Sequence, residues 1–450
     1  MTYRPFLAGD ELYAIEQHAS GNDIVAVRGQ QPIRREEFRA DTAALAARLP
    51  SHRYVLNACT DRYRFMVGFA AALHRGQISL MPSSVAPGVL QNLADDYPDL
   101  YALTDTAPLP LPGLVYPDDL SDSHATPGML AVPGEQPALI LFTSGSTGRP
   151  KPVPKSWGAL VRSAQAAGDR LGVSRLHGAT LIGTVPHQHS YGLESMVMLG
   201  LQRGLTLNAI SPLYPADIRA AIERAPRPRI LVTTPVHIRA LLAEPDGMPP
   251  VDLILSATAP LPAALAVQAE TCFDAPLIEI YGCTEAGQIA TRRTARETQW
   301  HCFNGVNLTQ NGQNTWASGP AVEGKEQLQD TIEMTGPETF ILGDRSADLV
   351  NIAGKRTSLA HLNHQLQSIQ GVKDGVFLME ETDGPRVARL MALAVAPNLR
   401  AEAILQGLRE RIDPAFLPRP LVIVTELPRN ALGKLPREAL LKLVGRPPGA

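Results

Sequence analysis

Short, continuous apolar runs recur through the middle of the chain: Ala138–Phe142, Ala179–Val185, Leu205–Ala209, Arg229–Thr233, Leu253–Ser256 and Leu277–Tyr281. Between several of them lie stretches with apolar residues three and four apart, at Trp157–Leu171, Ala216–Arg224, Val236–Ala243 and Pro262–Cys272. The first pattern predicts strands buried on both faces, the second amphipathic helices. Their alternation predicts parallel βαβ units. Upstream, Glu36–Leu49 and Phe65–His74 read as helices and Arg53–Asn57 and Ile78–Pro82 as strands. Ala125–Pro137 is rich in proline and glycine and reads as a loop.

The last third changes character. Ser358–Ile369 and Ala401–Ile412 read as amphipathic helices, Gly375–Met379 and Leu390–Ala396 as strands. This predicts a small α+β unit after a large α/β one. The boundary falls near Gly343–Asp348, giving domains 1–343 and 344–450. No internal repeat is visible.

Composition narrows the function classes. The 450 residues carry 41 Lys+Arg against 44 Asp+Glu, a net charge of −3, so no basic excess points to nucleic acid. Apolar residues make up 44% and charged residues 19%, an ordinary globular mixture. The four cysteines, Cys59, Cys272, Cys283 and Cys302, show no metal spacing and read as reduced thiols. The longest apolar stretch, around Phe65–Leu73, falls well short of the ~20 residues of a membrane span. A soluble, cytoplasmic protein is expected.

Three segments carry chemistry. Thr143-Ser-Gly-Ser-Thr-Gly-Arg-Pro-Lys151 follows an apolar run. Glycines let backbone N–H groups turn toward an anion, and hydroxyls add donors. The string suits a polyphosphate. It lacks the Gly-Lys-Ser/Thr ending of a P-loop, which counts against a kinase. Tyr281-Gly-Cys-Thr-Glu285 closes another apolar run, and a carboxylate and hydroxyl there can hold Mg²⁺ on phosphate oxygens. Tyr281 could stack on a base. Alone, this pentapeptide is equally an ordinary loop. Pro428-Arg-Asn-Ala-Leu-Gly-Lys-Leu-Pro-Arg437 places Gly433-Lys434 on a proline-bounded loop, where a lone lysine is usually a solvated charge.

In this order and spacing, the three segments resemble the ANL superfamily of adenylate-forming enzymes. Pro186-His-Gln-His-Ser-Tyr-Gly192 is similar to the family's acyl-site segment, Ser256-Ala-Thr-Ala-Pro-Leu261 to its nucleotide segment, and Trp316-Ala-Ser-Gly-Pro320 to the turn before its ribose site. Asp330 stands fifteen residues before Arg345, the family's spacing between ribose-binding Asp and hinge Arg. Gly354 fits the glycine of the following loop. The resemblance runs from Gln136 to Leu440. Ala347 and Asn351 depart from the usual charged hinge residues, and Asp348 is a candidate substitute.

The resemblance implies a large AMP-binding domain and a small, mobile lid bearing the catalytic lysine. It implies ATP and Mg²⁺ as cofactors, with coenzyme A or a phosphopantetheinylated acyl carrier protein as thiol acceptor. The acid would attack the α-phosphate of ATP, release pyrophosphate, and pass from acyl-AMP to the thiol. By position, Thr143, Ser144, Ser146, Thr147 and Lys151 would cradle phosphates. Ala257, Thr258, Tyr281 and Gly282 would line the nucleotide. Thr284 and Glu285 would serve the α-phosphate and Mg²⁺, Asp330 and Arg345 the ribose region, and Lys434 the reacting carboxylate.

His189, Ser190, Tyr191, His237, Thr258 and Cys283 would line the acid pocket, and His189 would also join Lys434, Glu285 and Thr284 as a catalytic residue. Their mixture of polar and aromatic types suits a compact aryl acid such as a hydroxybenzoate or cinnamate-like acid. Medium-chain or unsaturated aliphatic acids come next. The same residues are alternatively satisfied polar groups of the core. The pair His187/His189 has no third metal ligand nearby and reads as packed or pocket-lining. An amino-acid-activating module would carry Asp where Ser190 stands, to pair with the α-ammonium. A non-catalytic nucleotide-binding relative would have no use for Glu285, Asp330 and Lys434 together.

Overall fold

In the computed structural model, described residues are 11–18, 24–82, 85–120, 128–143, 151–244, 247–312, 314–345, 349–352, 355–379, 390–430 and 433–445. The chain divides into two compact units. The first holds 1–310, 316–328 and 334–340; the second holds 341–450 with the short segments 311–315 and 329–333. Asp330 therefore groups with the second unit, ahead of the boundary expected near 343.

Two sheets organise the first unit. One runs in the order Lys151–Ser156, Pro137–Thr143, Ile78–Met81, Tyr54–Asn57, Leu100–Thr104, Gly113–Val115. All its neighbours are parallel except the first pair. The other runs Gln299–Cys302, Gly287–Arg292, Leu277–Cys283, Leu253–Ser256, Arg229–Thr233, Thr180–Gly183, Thr206–Asn208, Ile24–Arg28, Gln31–Arg34. Its centre is parallel, the pairs among Leu277–Cys283, Gly287–Arg292 and Gln299–Cys302 and the pair Ile24–Arg28 with Gln31–Arg34 are antiparallel, and the sheet continues beyond Gln299–Cys302. Thr180–Gly183 and Leu253–Ser256 are buried along their whole length and Arg229–Thr233 at all but its first residue, as continuous apolar runs require.

The helix Trp157–Leu171 shows why the periodicity is legible. Ser156 caps it by accepting from the Ala159 amide, and Gly172 ends it at φ 65°. The helix Arg62–His74 is different: it is apolar on all sides and buried almost throughout, with Asp61 as its cap. Two stretches differ from expectation. Residues 151–156 form a strand rather than the end of a loop, and Ala131–Pro133 pairs with Leu12–Ala14 inside the proline- and glycine-rich stretch. The first carries two prolines and the second is only three residues long, which leaves little periodicity to read.

In the second unit, Asp374–Met379 and Leu390–Val395 pair antiparallel, and Leu421–Ile423 joins in parallel. Alternate residues face two cores. Phe377, Ala392 and Ala394 meet Leu362, Leu366, Ile404 and Leu408 on one side. Val376, Leu378 and Leu393 meet Leu427 and Leu440 on the other.

Candidate functional site

Four parallel strands of the second sheet, Thr180–Gly183, Arg229–Thr233, Leu253–Ser256 and Leu277–Cys283, are neighbours in register. Each ends where a candidate segment begins: Pro186–Gly192, Thr234–His237, Ala257–Leu261 and Gly282–Glu285. The carboxyl ends of parallel strands are where open α/β sheets take their ligands. The fold thus gathers segments spread over a hundred residues at one sheet edge.

Each segment is braced from below. Glu279 is buried; its Oε2 accepts from Arg292 Nε at 2.8 Å and Thr294 Oγ1 at 2.6 Å, while Oε1 accepts the Leu261 amide at 3.2 Å. That last bond ties the Ala257–Leu261 turn to the strand bearing Tyr281. Within the turn, Thr258 sits at φ 78°, a conformation unusual for a β-branched residue. Such strain persists only where the surroundings impose it, and it concentrates at functional sites.

Tyr281 is enclosed by aromatic rings, with Trp300 at 5.6 Å and Phe340 at 5.7 Å between centroids. Beyond it the strand shifts register at Gly282. A Cβ on Gly282 would lie 2.1 Å from the Gly287 carbonyl oxygen, so the two arms of the turn touch there. Cys283 Sγ accepts the Ala286 amide at 3.4 Å inside this turn, and burial pushes its thiol up to about 11. It is a turn brace and stays protonated. Thr284 and Glu285 are half-buried at the tip.

The Pro186–Gly192 segment rests on buried Arg62. Its guanidinium donates to the carbonyls of Gly183 at 2.8 Å and Val185 at 2.9 Å, and to that of Ile210. His187 is buried, bonds the Cys59 carbonyl through Nε2 at 3.0 Å, and meets Phe65 edge-on at 4.5 Å. It is a packed core histidine. Burial and the nearby Arg62 pull its pKa down to about 4. The unfolded imidazole takes a proton near pH 6.5 while the native one stays neutral, so stability falls as pH drops through that window. Between pH 7 and 5 the loss is about 2 kcal/mol. Urea unfolding at the two pH values should show a smaller loss in His187→Gln; an equal loss would place the acid sensitivity elsewhere.

His189 precedes the helical turn Ser190–Gly192, which runs into a π-helical stretch, Leu193–Met198. Such turns often mark functional sites. Tyr191 is buried and its hydroxyl pKa is raised by burial. His237 is held by Thr234, whose hydroxyl lies 2.9 Å from Nδ1; burial lowers its pKa and favours the neutral ring.

Lys155 and Glu194 were not among the sequence candidates. Lys155, on Lys151–Ser156, is 4% exposed and donates from Nζ to the Glu285 carbonyl. Glu194 is buried; its Oε1 accepts from Ser190 at 2.7 Å and Oε2 accepts the Gln288 amide at 3.0 Å. The signal for Glu194 was a charge inside the apolar run Leu193–Leu201. The signal for Lys155 was weaker, because a strand was not expected there.

Thr143 lies directly opposite Lys151 across the antiparallel pair, which brings the two ends of the glycine segment together. Ser144, Ser146 and Thr147 fall outside the described residues, as do Ala347, Asp348 and Gly354. In the second unit, Asp330 opens the strand Asp330–Gly336 and Arg345 ends Thr339–Arg345. Lys434 is exposed on a braced turn. Its amide donates to Asn430 Oδ1 at 2.9 Å, Gly433 sits at φ 74°, and the Gly433 carbonyl accepts from Arg429, which also pairs with Asp374 at 2.6 Å.

Among the described residues no group of three or more His, Cys, Asp or Glu gathers as a metal site, and no helix is long and apolar enough to cross a membrane.

Residues 45–310 match the family described as AMP-binding enzyme. The 4-coumarate–CoA ligase of Rhodobacter capsulatus is 28% identical over 308 residues, 68% of this chain and 77% of the relative. The 3,4-dihydroxybenzoate–[aryl-carrier protein] ligase of Bacillus anthracis is 22% identical, over 68% and 74%. In fold, the chain matches o-succinylbenzoate CoA synthetase from Bacillus subtilis in complex with its acyl-adenylate, with TM-score 0.79 at 19% identity over 94% of this chain and 96% of that one. The matched stretch holds all four segments at the sheet edge together with the glycine segment, and the chain belongs to the AMP-binding enzymes of the adenylate-forming ANL superfamily.

Proposed function

We propose that this chain, an AMP-forming acid–thiol ligase by family, activates a small aryl carboxylic acid and passes it to a phosphopantetheine thiol in the cytoplasm. The observation that carries the proposal is the convergence of the four segments at one sheet edge. Named relatives acting on 4-coumarate and 3,4-dihydroxybenzoate support an aryl acid. One is a CoA ligase and the other serves a carrier protein, and this chain takes one of those two acceptors.

In the first step a carboxylate oxygen attacks the α-phosphorus and pyrophosphate leaves. The attack brings anions together, so the site must supply positive charge and donors more than a base. Ser144, Ser146, Thr147 and Lys151, with Thr143 at the strand end, take the β- and γ-phosphates. Thr284 takes the α-phosphate. Glu285 is an oxygen donor at a braced turn, and one carboxylate plus phosphate oxygens is how Mg²⁺ is commonly held. Lys434 bridges the acid and the α-phosphate. In the second step the thiol sulfur attacks the acyl carbon and AMP leaves. Ala257, Thr258, Tyr281 and Gly282 line the nucleotide; His189, Ser190, Tyr191, His237 and Cys283 line the acid.

Asp330 and Arg345 take the ribose region. Loss of a charge-assisted hydrogen bond costs about 1.5–3 kcal/mol. Asp330→Ala is therefore expected to weaken ATP binding roughly ten- to two-hundredfold and leave the order of acid preference intact. Titration with ATP checks it; unaltered affinity would assign the ribose to another group.

An amino-acid-activating module is the second reading. Such a module would carry Asp where Ser190 stands, to pair with the α-ammonium, whereas Ser190 is uncharged and donates to Glu194. Pyrophosphate exchange over aryl, aliphatic and amino acids separates the readings. Exchange with amino acids alone would overturn the proposal.

A further inference from the structure

A small recess lies in the first unit; its walls are mostly apolar, among them Leu160 and Leu193, and its polar groups are Lys155, Ser163 and Glu194. Its two charged groups are both buried, Lys155 at 4% and Glu194 at 8% exposure. Among the described residues Lys155 forms no ion pair; its recorded partner is the Glu285 carbonyl. An ammonium carries three donors, so two remain. Glu194 accepts from Ser190, from the Gln288 amide and, at 3.5 Å, from Ser163. A carboxylate has about four lone-pair sites, so one remains.

Lys155 and Glu194 both line the recess, and among the described residues no ion pair joins them. Buried charge with unmet hydrogen-bonding capacity is costly, so the recess calls for a polar group. The group must accept from Lys155 and donate to Glu194, which a hydroxyl does. A carboxylate could not donate, and a methoxy group could not donate either. The recess shares its walls with the site. Glu194 binds Ser190 of the acyl-site segment, and Lys155 binds the Glu285 carbonyl. Gly287, at φ 76°, brings backbone against Glu194, and a Cβ there would lie 3.2 Å from Oε2.

We propose that this recess is a subsite for a hydroxyl at the far end of the acid, with Lys155 donating a hydrogen bond to its oxygen and Glu194 accepting one from it. Lys155 and Glu194 are then specificity-determining residues, and the substrate is a hydroxylated acid. The inference rests on the aryl-acid reading and goes further by fixing a substituent.

The test is pyrophosphate exchange by the full chain with benzoate and cinnamate, their 3- and 4-hydroxy derivatives, and their 4-methoxy derivatives. A site built around a hydroxyl rejects analogues lacking it by large factors. The best hydroxy acid is expected to exceed its parent in kcat/KM by at least ~10², with the methoxy acid no better than the parent. Lys155→Met and Glu194→Gln should each lower that ratio at least about tenfold. The ratio is the readout, because Lys155 also holds the Glu285 carbonyl. The wild-type series decides the matter even if a variant does not fold. Parent and hydroxy acids within about threefold of one another, with exchange otherwise active, would overturn the subsite alone, and so would a ratio unmoved in both variants. No exchange with any aryl acid would overturn the aryl reading and the subsite together.

Discussion

Lys434→Ala is expected to slow acyl-adenylate formation by ~10²–10³ while leaving thioester formation from synthetic acyl-AMP nearly normal. A preorganised charge aimed at the transition state contributes about 2.7–4 kcal/mol. The turn that presents Lys434 is held by its backbone: the Asn430 side chain receives the Lys434 amide, and Arg429 holds the Gly433 carbonyl. Both bonds run through backbone atoms of Gly433 and Lys434, which the substitution retains. ATP binding should fall much less than the rate, since the interaction is realised chiefly in the transition state. Single-turnover measurement of each half-reaction checks this. Equal loss in both would make Lys434 a structural residue.

Gly282→Ala should reduce adenylation by about 10²-fold, by moving Glu285 rather than by removing any chemical group. The added Cβ would meet the Gly287 carbonyl oxygen at 2.1 Å and Gln288 Cα at 2.9 Å. Both are backbone atoms of the paired strand, so no side chain can swing away. The turn must open, and Thr284 and Glu285 sit between the two contact points. A misplacement of about 1 Å in a positioned group is enough for a loss of that order. The loss should appear in kcat with a raised Mg²⁺ requirement. Wild-type Mg²⁺ dependence together with wild-type kcat would show that the turn absorbs the methyl group and does not position the carboxylate.

The parallel strands were legible because they are buried on both faces, and such strands must be continuously apolar. The candidate segments were legible because each breaks an apolar run with glycine and hydroxyl residues. Lys155 was not legible: its strand alternates lysine, proline and valine, a pattern with two prolines that reads as a loop. The antiparallel strands Gly287–Arg292 and Gln299–Cys302 were missed for a related reason. Their polar residues, Gln288 and Thr291, are buried by pairing with Ser195 and Arg170 rather than by apolar neighbours. His187 and His189 looked alike in sequence. Only packing separates them, because Phe65 and the Cys59 carbonyl that enclose His187 are more than a hundred residues away.

The strand Ile24–Arg28 is made early and placed late. It pairs with Thr206–Asn208, Ala26 lying opposite Leu207. At roughly 5–20 residues per second, the ribosome needs about 10–40 s between making one partner and the other. Arg62 waits similarly for the carbonyls of Gly183, Val185 and Ile210. Throughout that interval the strand is paired along one edge only, with Gln31–Arg34, and the buried Arg62 lacks its carbonyl partners. Non-local pairing of this kind folds slowly and exposes unpaired edges to other chains. During synthesis, the N-terminal quarter of this protein is accordingly where chaperone dependence should concentrate.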